Sequence, residues 1–123
     1  MTVTAYTLAV LLNAFCLFLG YRFLFQPGPA AAGYGVPADP AGDAGAYLSI
    51  KGLRDGTLGV VGLAVLAGAG AHAEAWLMLS VAIIPFGDCL IVLRNGGAKA
   101  VAFGVHFATA IIVLISAGLL FAV

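Results

Sequence analysis

The chain has 123 residues, of which 63% are hydrophobic and 8% charged, and its formal net charge is zero. Soluble domains carry about 25% charged residues, so this composition excludes a water-soluble fold and points to an integral membrane protein. A balanced charge with no basic run excludes nucleic acid as a partner, and the length leaves one domain, 1–123.

A spanning helix needs about 20 mostly apolar residues. Segments 3–25, 49–71, 74–93 and 99–121 meet that need. The expectation is an all-α, four-helix transmembrane bundle of antiparallel up-down spans with both termini on one side.

The first span is read as a mature helix. Its leader "MTVTAYT" has no positive side chain, and its apolar run exceeds the 7–15 residues usual for a signal peptide. Asn13 falls near its middle, where its amide needs a partner from another helix. Tyr21 and Arg22 carry the same stripe to the membrane edge. "QPGP" then breaks the helix. The connection 26–48 holds four prolines, five glycines, Asp39 and Asp43. It reads as irregular, either a passive linker or a lid.

The second span opens on "SIKGLRDG", which places Lys51, Arg54 and Asp55 at the mouth of an apolar helix. Its glycines, with Ala64 and Gly68 one turn apart, suit close packing within the bundle or against a second copy in a homo-oligomer. The third span contains "IIPFGDC". Pro85 removes a backbone hydrogen bond three residues before Asp88, so a kink is expected there. In the fourth span His106 should share a face with Phe103, Thr109 and Lys99. The turns at 71–74 and 94–98 are short, which pairs their helices antiparallel.

Three titratable groups share one depth. From its span end, Asp55 lies about 9 Å inside, Asp88 about 9 Å and His106 about 10 Å, at 1.5 Å per residue. A charge at mid-bilayer costs roughly 2.5–3.5 kcal/mol on insertion scales, so these groups should face inward and pair. The expected pairs are Arg54 with Asp88 and, one turn apart, Lys51 with Asp55.

All five basic residues, Arg22, Lys51, Arg54, Arg94 and Lys99, fall on one side of the four spans. Basic residues near span ends stay cytoplasmic. Both termini should therefore face outward, from a bacterial plasma membrane, with Glu74 marking the outer side.

Cys16 and Cys89 sit in apolar runs without a C-x-x-C and read as small hydrophobes. His72 and Glu74 form an H-x-E, but the P-C-x-x-C partner of a zinc deaminase is missing. Neither a metal nor a cofactor is expected.

"AYLSIKGLRDGTLGVV", "IPFGDCLIVLRNGG" and "GVHFATA" resemble a domain-of-unknown-function family of small bacterial and fungal four-helix membrane proteins. The shared pattern is K-G-x-R-D at Lys51 to Asp55, P-x-G-D at Pro85 to Asp88, and the late His106. The resemblance implies that these polar positions form one constellation. It implies no activity. A more distant likeness to small four-helix families that include sterol isomerases has no motif behind it.

Three functions fit this reading. One is a pocket on the cytoplasmic side for a lipophilic small molecule. Asp88, Asp55 and His106 would then be the catalytic candidates for proton-mediated isomerisation or cyclisation. Arg54, Asn13, Lys51, Tyr21 and Phe103 would bind the ligand, and Phe86 is a further candidate for the wall. The second is a structural bundle whose charge network only fixes register. Transport is the third, opposed by charges confined to one half of the membrane.

Overall fold

The computed structural model describes the whole chain, Met1–Val123. It is all helical, with no strand, and has five helices where four were expected. Helix α1 spans Thr2–Phe25, α2 Pro27–Tyr34 and α3 Ala44–Gly68. The next helix, Ala71–Arg94, is broken at Ala82 into α4 (Ala71–Val81) and α5 (Ile83–Arg94). The last, Lys99–Phe121, starts as α6 (Lys99–Val101), passes through a π-helical stretch over Ala102–Phe107, and ends as α7 (Ala108–Phe121).

Three helices are long and apolar enough to cross a membrane: Thr2–Phe25, Ala71–Arg94 and Lys99–Phe121. At 23 or 24 residues each, they extend about 35 Å, enough for a hydrocarbon core of about 30 Å. Helix α3 is as long, but Lys51, Arg54 and Asp55 dilute its apolar run.

The fifth helix is α2, inside the stretch expected to be irregular. Proline suits a first helical position, because its missing N–H would have had no partner there. Pro27 opens α2 in that way. Gly35 closes it in the left-handed conformation, φ 94°, which a side chain would resist. Buried Ala30 and Ala31 seat α2 against Phe23 of α1.

Helices α1 and α3 touch backbone to backbone. A Cβ on Gly20 would lie 2.6 Å from the Gly56 Cα, and one on Gly59 would lie 2.6 Å from the Asn13 carbonyl oxygen. Gly52, Gly56, Gly59 and Gly62 therefore serve packing within the bundle. Ala64 and Gly68 are exposed.

Near the chain termini the core is mostly small. Ala5, Ala9, Ala71, Ala75 and Ala117 pack with Leu66, Met78 and Leu120, so the helices close tightly. The other end is splayed. Pro85 offers no N–H to the Val81 carbonyl, and the ladder breaks at Ala82, with the Phe86 N–H reaching the Ala82 carbonyl over 3.4 Å. Opposite it, the π turn widens the last helix.

Candidate functional site

Between the splayed helices lies a cavity of about 260 Å³. Much of its wall is apolar, including Phe15, Leu19, Leu58, Ile84 and Val113. Asp55, Asp88, His106, Tyr34 and Arg22 also line it. The three titratable groups at one depth thus share one cavity, although they come from three separate segments.

Tyr34, the last residue of α2, ties them together. Its hydroxyl donates to Asp88 Oδ2. Its carbonyl accepts a hydrogen bond from His106 Nε2–H at 2.7 Å, and the two rings meet edge to face at 4.4 Å. The Lys51 ammonium lies 4.2 Å from the Tyr34 ring centroid and 4.8 Å from that of Phe23. Lys51 also pairs with Asp55 at 2.7 Å. One aromatic side chain thus joins α3, α5 and the π turn.

This network fixes protonation geometry. A carbonyl can only accept, so His106 carries its proton on Nε2, and in the neutral ring Nδ1 keeps a free lone pair. Burial, followed by the Asp88 charge, pushes the Tyr34 phenol well above its ordinary range. It therefore remains a donor to Asp88 at neutral pH.

Arg22 lines the cavity beside Phe18, its guanidinium carbon 5.9 Å from that ring's centroid. Its Nε is buried without a partner. No carboxylate forms an ion pair with it, because the one salt bridge joins Lys51 to Asp55.

The other sequence candidates are placed differently. Arg54 is exposed and does not meet Asp88, whose carboxylate takes the Tyr34 hydroxyl instead. Successive helical residues turn by about 100°, so Asp55 faces inward while its neighbour faces out. Lys51 acts on the site through Tyr34 and Asp55, without lining the cavity. Tyr21 is exposed and packs on Phe25.

Phe103 is 52% exposed whereas His106 is 3% exposed. The expected shared face is lost because the π turn changes the angle between them. Phe86 packs on Phe107 and is absent from the cavity wall. Phe15, Phe18 and Tyr34 supply the aromatic lining instead.

Asn13 belongs to a second cluster. Its Nδ2 donates to Glu74 Oε1 at 2.8 Å. Both residues line a smaller cavity of about 50 Å³, whose wall shares Cys16, Leu58 and Thr109 with the larger one. Glu74 is fully buried, not at the outer surface where its span-end position put it. It lies one turn inside α4, and Asn13 draws it into the bundle.

No curated protein and no solved structure matches the chain. The polar positions that line the cavity, from Cys16 to Thr109, fall within residues 13–120. Those residues match the model of a domain of unknown function, DUF4267, and the chain belongs to that family.

Proposed function

We propose that the protein binds a small lipophilic molecule in the larger cavity, with the molecule's polar end at Asp88, His106 and Arg22. One observation carries this reading: an apolar space of about 260 Å³ onto which four ionisable side chains and a tyrosine converge. An engineered apolar cavity of about 150 Å³ in another protein takes up benzene. By that scale this one holds a body of roughly ten heavy atoms, too few for a whole sterol.

The same groups can move a proton. His106 Nδ1 can take one from one atom of a bound molecule and, as the imidazolium, return it to another, while the Asp55 and Asp88 carboxylates stabilise the transient positive charge. That exchange is an isomerisation, and it needs no cofactor. A purely structural network is the alternative. It is supported by the mutual satisfaction of Lys51 with Asp55 and of Tyr34 with Asp88. The unpartnered Arg22 Nε and the open cavity oppose it.

The test uses 1-naphthol, an apolar bicycle with one hydroxyl, and protein in nanodiscs. Saturable binding above partition into empty nanodiscs is the expected result. A Cβ on Gly33 would meet nothing within 4 Å, and Gly33 lines the cavity. Gly33→Phe should therefore abolish the binding with little change in melting temperature. Absence of saturable binding, or equal binding by Gly33→Phe, refutes the pocket and leaves the structural reading.

The same proposal places α3 as a fourth crossing, since it runs along α1 through Gly20, Gly56 and Gly59. Its ionic pair, Lys51 with Asp55, is only partly exposed. The bundle would then cross a bacterial plasma membrane four times. All five basic residues and the cavity's polar end would face the cytoplasm, and both termini would face outward. A cysteine at exposed Ala41 should react with an impermeant maleimide only after the cells are opened. Labelling in intact cells would reverse the orientation.

A further inference from the structure

The half of the bundle beyond the cavity holds a carboxyl that ligand binding does not use. Glu74 is 0% exposed and Asn13 is 4% exposed. Asn13 satisfies one carboxylate oxygen, Oε1. The other, Oε2, is buried without a partner. An ionised carboxylate with one oxygen unmet in an apolar interior is strongly disfavoured, because water no longer solvates the charge. Either a proton on Oε2 or a small polar guest removes that cost.

A metal or sodium ion fits poorly. The Asn13 amide turns its N–H₂ toward Glu74, which presents a donor where a cation needs an oxygen. No group of three His, Cys, Asp or Glu residues gathers anywhere in the chain. A proton suits the geometry, because a protonated Oε2 becomes a donor to water. The adjoining cavity of about 50 Å³ exceeds the roughly 10–15 Å³ that one water needs on this kind of measure.

That small cavity lies beside the larger one. Thr109 and Cys16 stand in both walls. Thr109 is close to the middle of the helix Lys99–Phe121, and its hydroxyl can accept one proton while donating another. The larger cavity, which Thr109 also lines, holds Asp55, Asp88 and His106. Around Glu74 the small cavity shows no other charged side chain; Asn13, Thr109 and Cys16 are its polar neighbours. Glu74 itself lies one turn, about 6 Å, from the turn at Gly70 where α4 begins. Exposed His72 sits at that same end, against Phe121.

We propose that Glu74, held by Asn13, is a proton-loading site, and that Thr109 links it to the carboxylates of the larger cavity so that the protein passes protons across the membrane. In each passage Glu74 gives its carboxyl proton to a water. The Thr109 hydroxyl accepts one proton and releases another, and Asp55 or Asp88 receives it and discharges it on the opposite side. Only O–H bonds form and break, one proton crosses, and Glu74 reloads from the side of the α3–α4 turn.

The experiment places the purified full chain in vesicles holding a trapped pH-sensitive dye, with an imposed pH gradient and valinomycin–potassium to balance charge. Wild-type protein should collapse the gradient faster than protein-free vesicles. Glu74→Gln keeps the shape of the side chain but cannot release a proton at neutral pH, and should fall to the protein-free rate. Thr109→Val, close in shape but without the hydroxyl, should also lose most of the flux; it serves if Glu74→Gln fails to fold. Wild-type flux equal to that of empty vesicles overturns the proposal, as does unchanged flux in either folded variant. Glu74 lies outside the larger cavity's wall, so Glu74→Gln should still bind 1-naphthol. Loss of proton flux is thereby separable from failure of the binding reading.

Discussion

Gly20→Ala should lower the melting temperature in detergent more than alanine at any glycine facing open space. A Cβ at this position would lie 2.6 Å from the Gly56 Cα, 2.7 Å from its nitrogen and 2.8 Å from the Gly52 carbonyl oxygen. All three are backbone atoms, so no side chain can swing aside. Relief requires α1 and α3 to part. That movement would loosen Gly59 from Asn13 and Leu17, and Gly52 from Leu24. Overpacking a well-fitted contact costs about 1–3 kcal/mol. Helices in a bilayer have little hydrophobic drive to re-close, because their cohesion rests on close packing.

Gly118→Ala is the matched control. Gly118 lies within α7, and a Cβ there meets nothing within 4 Å. It should be neutral or gain up to about 1 kcal/mol from helix propensity. Equal melting temperatures for the two variants would show that α1 and α3 do not pack through Gly20.

Much of this architecture is legible in the sequence because hydropathy and helical rise are regular. Hydropathy puts the last span at 99–121, where the structure has Lys99–Phe121, and misses the start of the first by one residue. The helix expected at 49–71 is found at Ala44–Gly68, because α3 begins in the stretch before Ser49 that hydropathy leaves out. Fixed rise per residue also gave the common depth of Asp55, Asp88 and His106, and all three line one cavity. Depth does not give direction around a helix, however. Arg54 has the right height and the wrong azimuth, so its expected pairing with Asp88 fails.

Direction is also illegible at Phe103, because a π turn over Ala102–Phe107 replaces the ordinary period and no single residue announces it. Tyr34 is hidden in the sequence for another reason. Prolines and glycines in 26–48 suggest irregular chain, yet proline at a first position and glycine just past the last are also helix punctuation. Read that way, "PGPAAAGYG" encloses one short helix ending at Tyr34. Hydropathy places Glu74 at a span end and says nothing of what a long side chain can reach; the carboxylate is buried against Asn13. The signal for it in the sequence is Asn13, whose mid-span amide needs a partner from another helix.

Tyr34→Phe should separate a network from a set of independent contacts. The substitution removes a single oxygen and keeps the ring that meets His106 and Phe23 edge to face. The backbone carbonyl that receives the His106 N–H also remains. What is lost is the donor to Asp88 Oδ2, the one side-chain hydrogen bond found for that carboxylate. Hydrogen bonds to charged groups contribute about 1.5–3 kcal/mol, and a carboxylate left facing an apolar cavity adds to the loss. The melting temperature should therefore fall clearly in Tyr34→Phe.

Asp88→Asn should cost less, because an amide oxygen still accepts from the phenol. The double variant should be more stable than the sum of the two losses implies, since no ionised group is then stranded. A coupling of about 0.5–3 kcal/mol is expected for groups in direct contact. Arg54→Gln combined with Asp88→Asn should instead be additive, because Arg54 is exposed and forms no ion pair. If Tyr34→Phe with Asp88→Asn were additive and Arg54→Gln with Asp88→Asn were coupled, the Asp88 carboxylate would be held by the arginine of α3, and α2 would not be anchored to the cavity through its tyrosine.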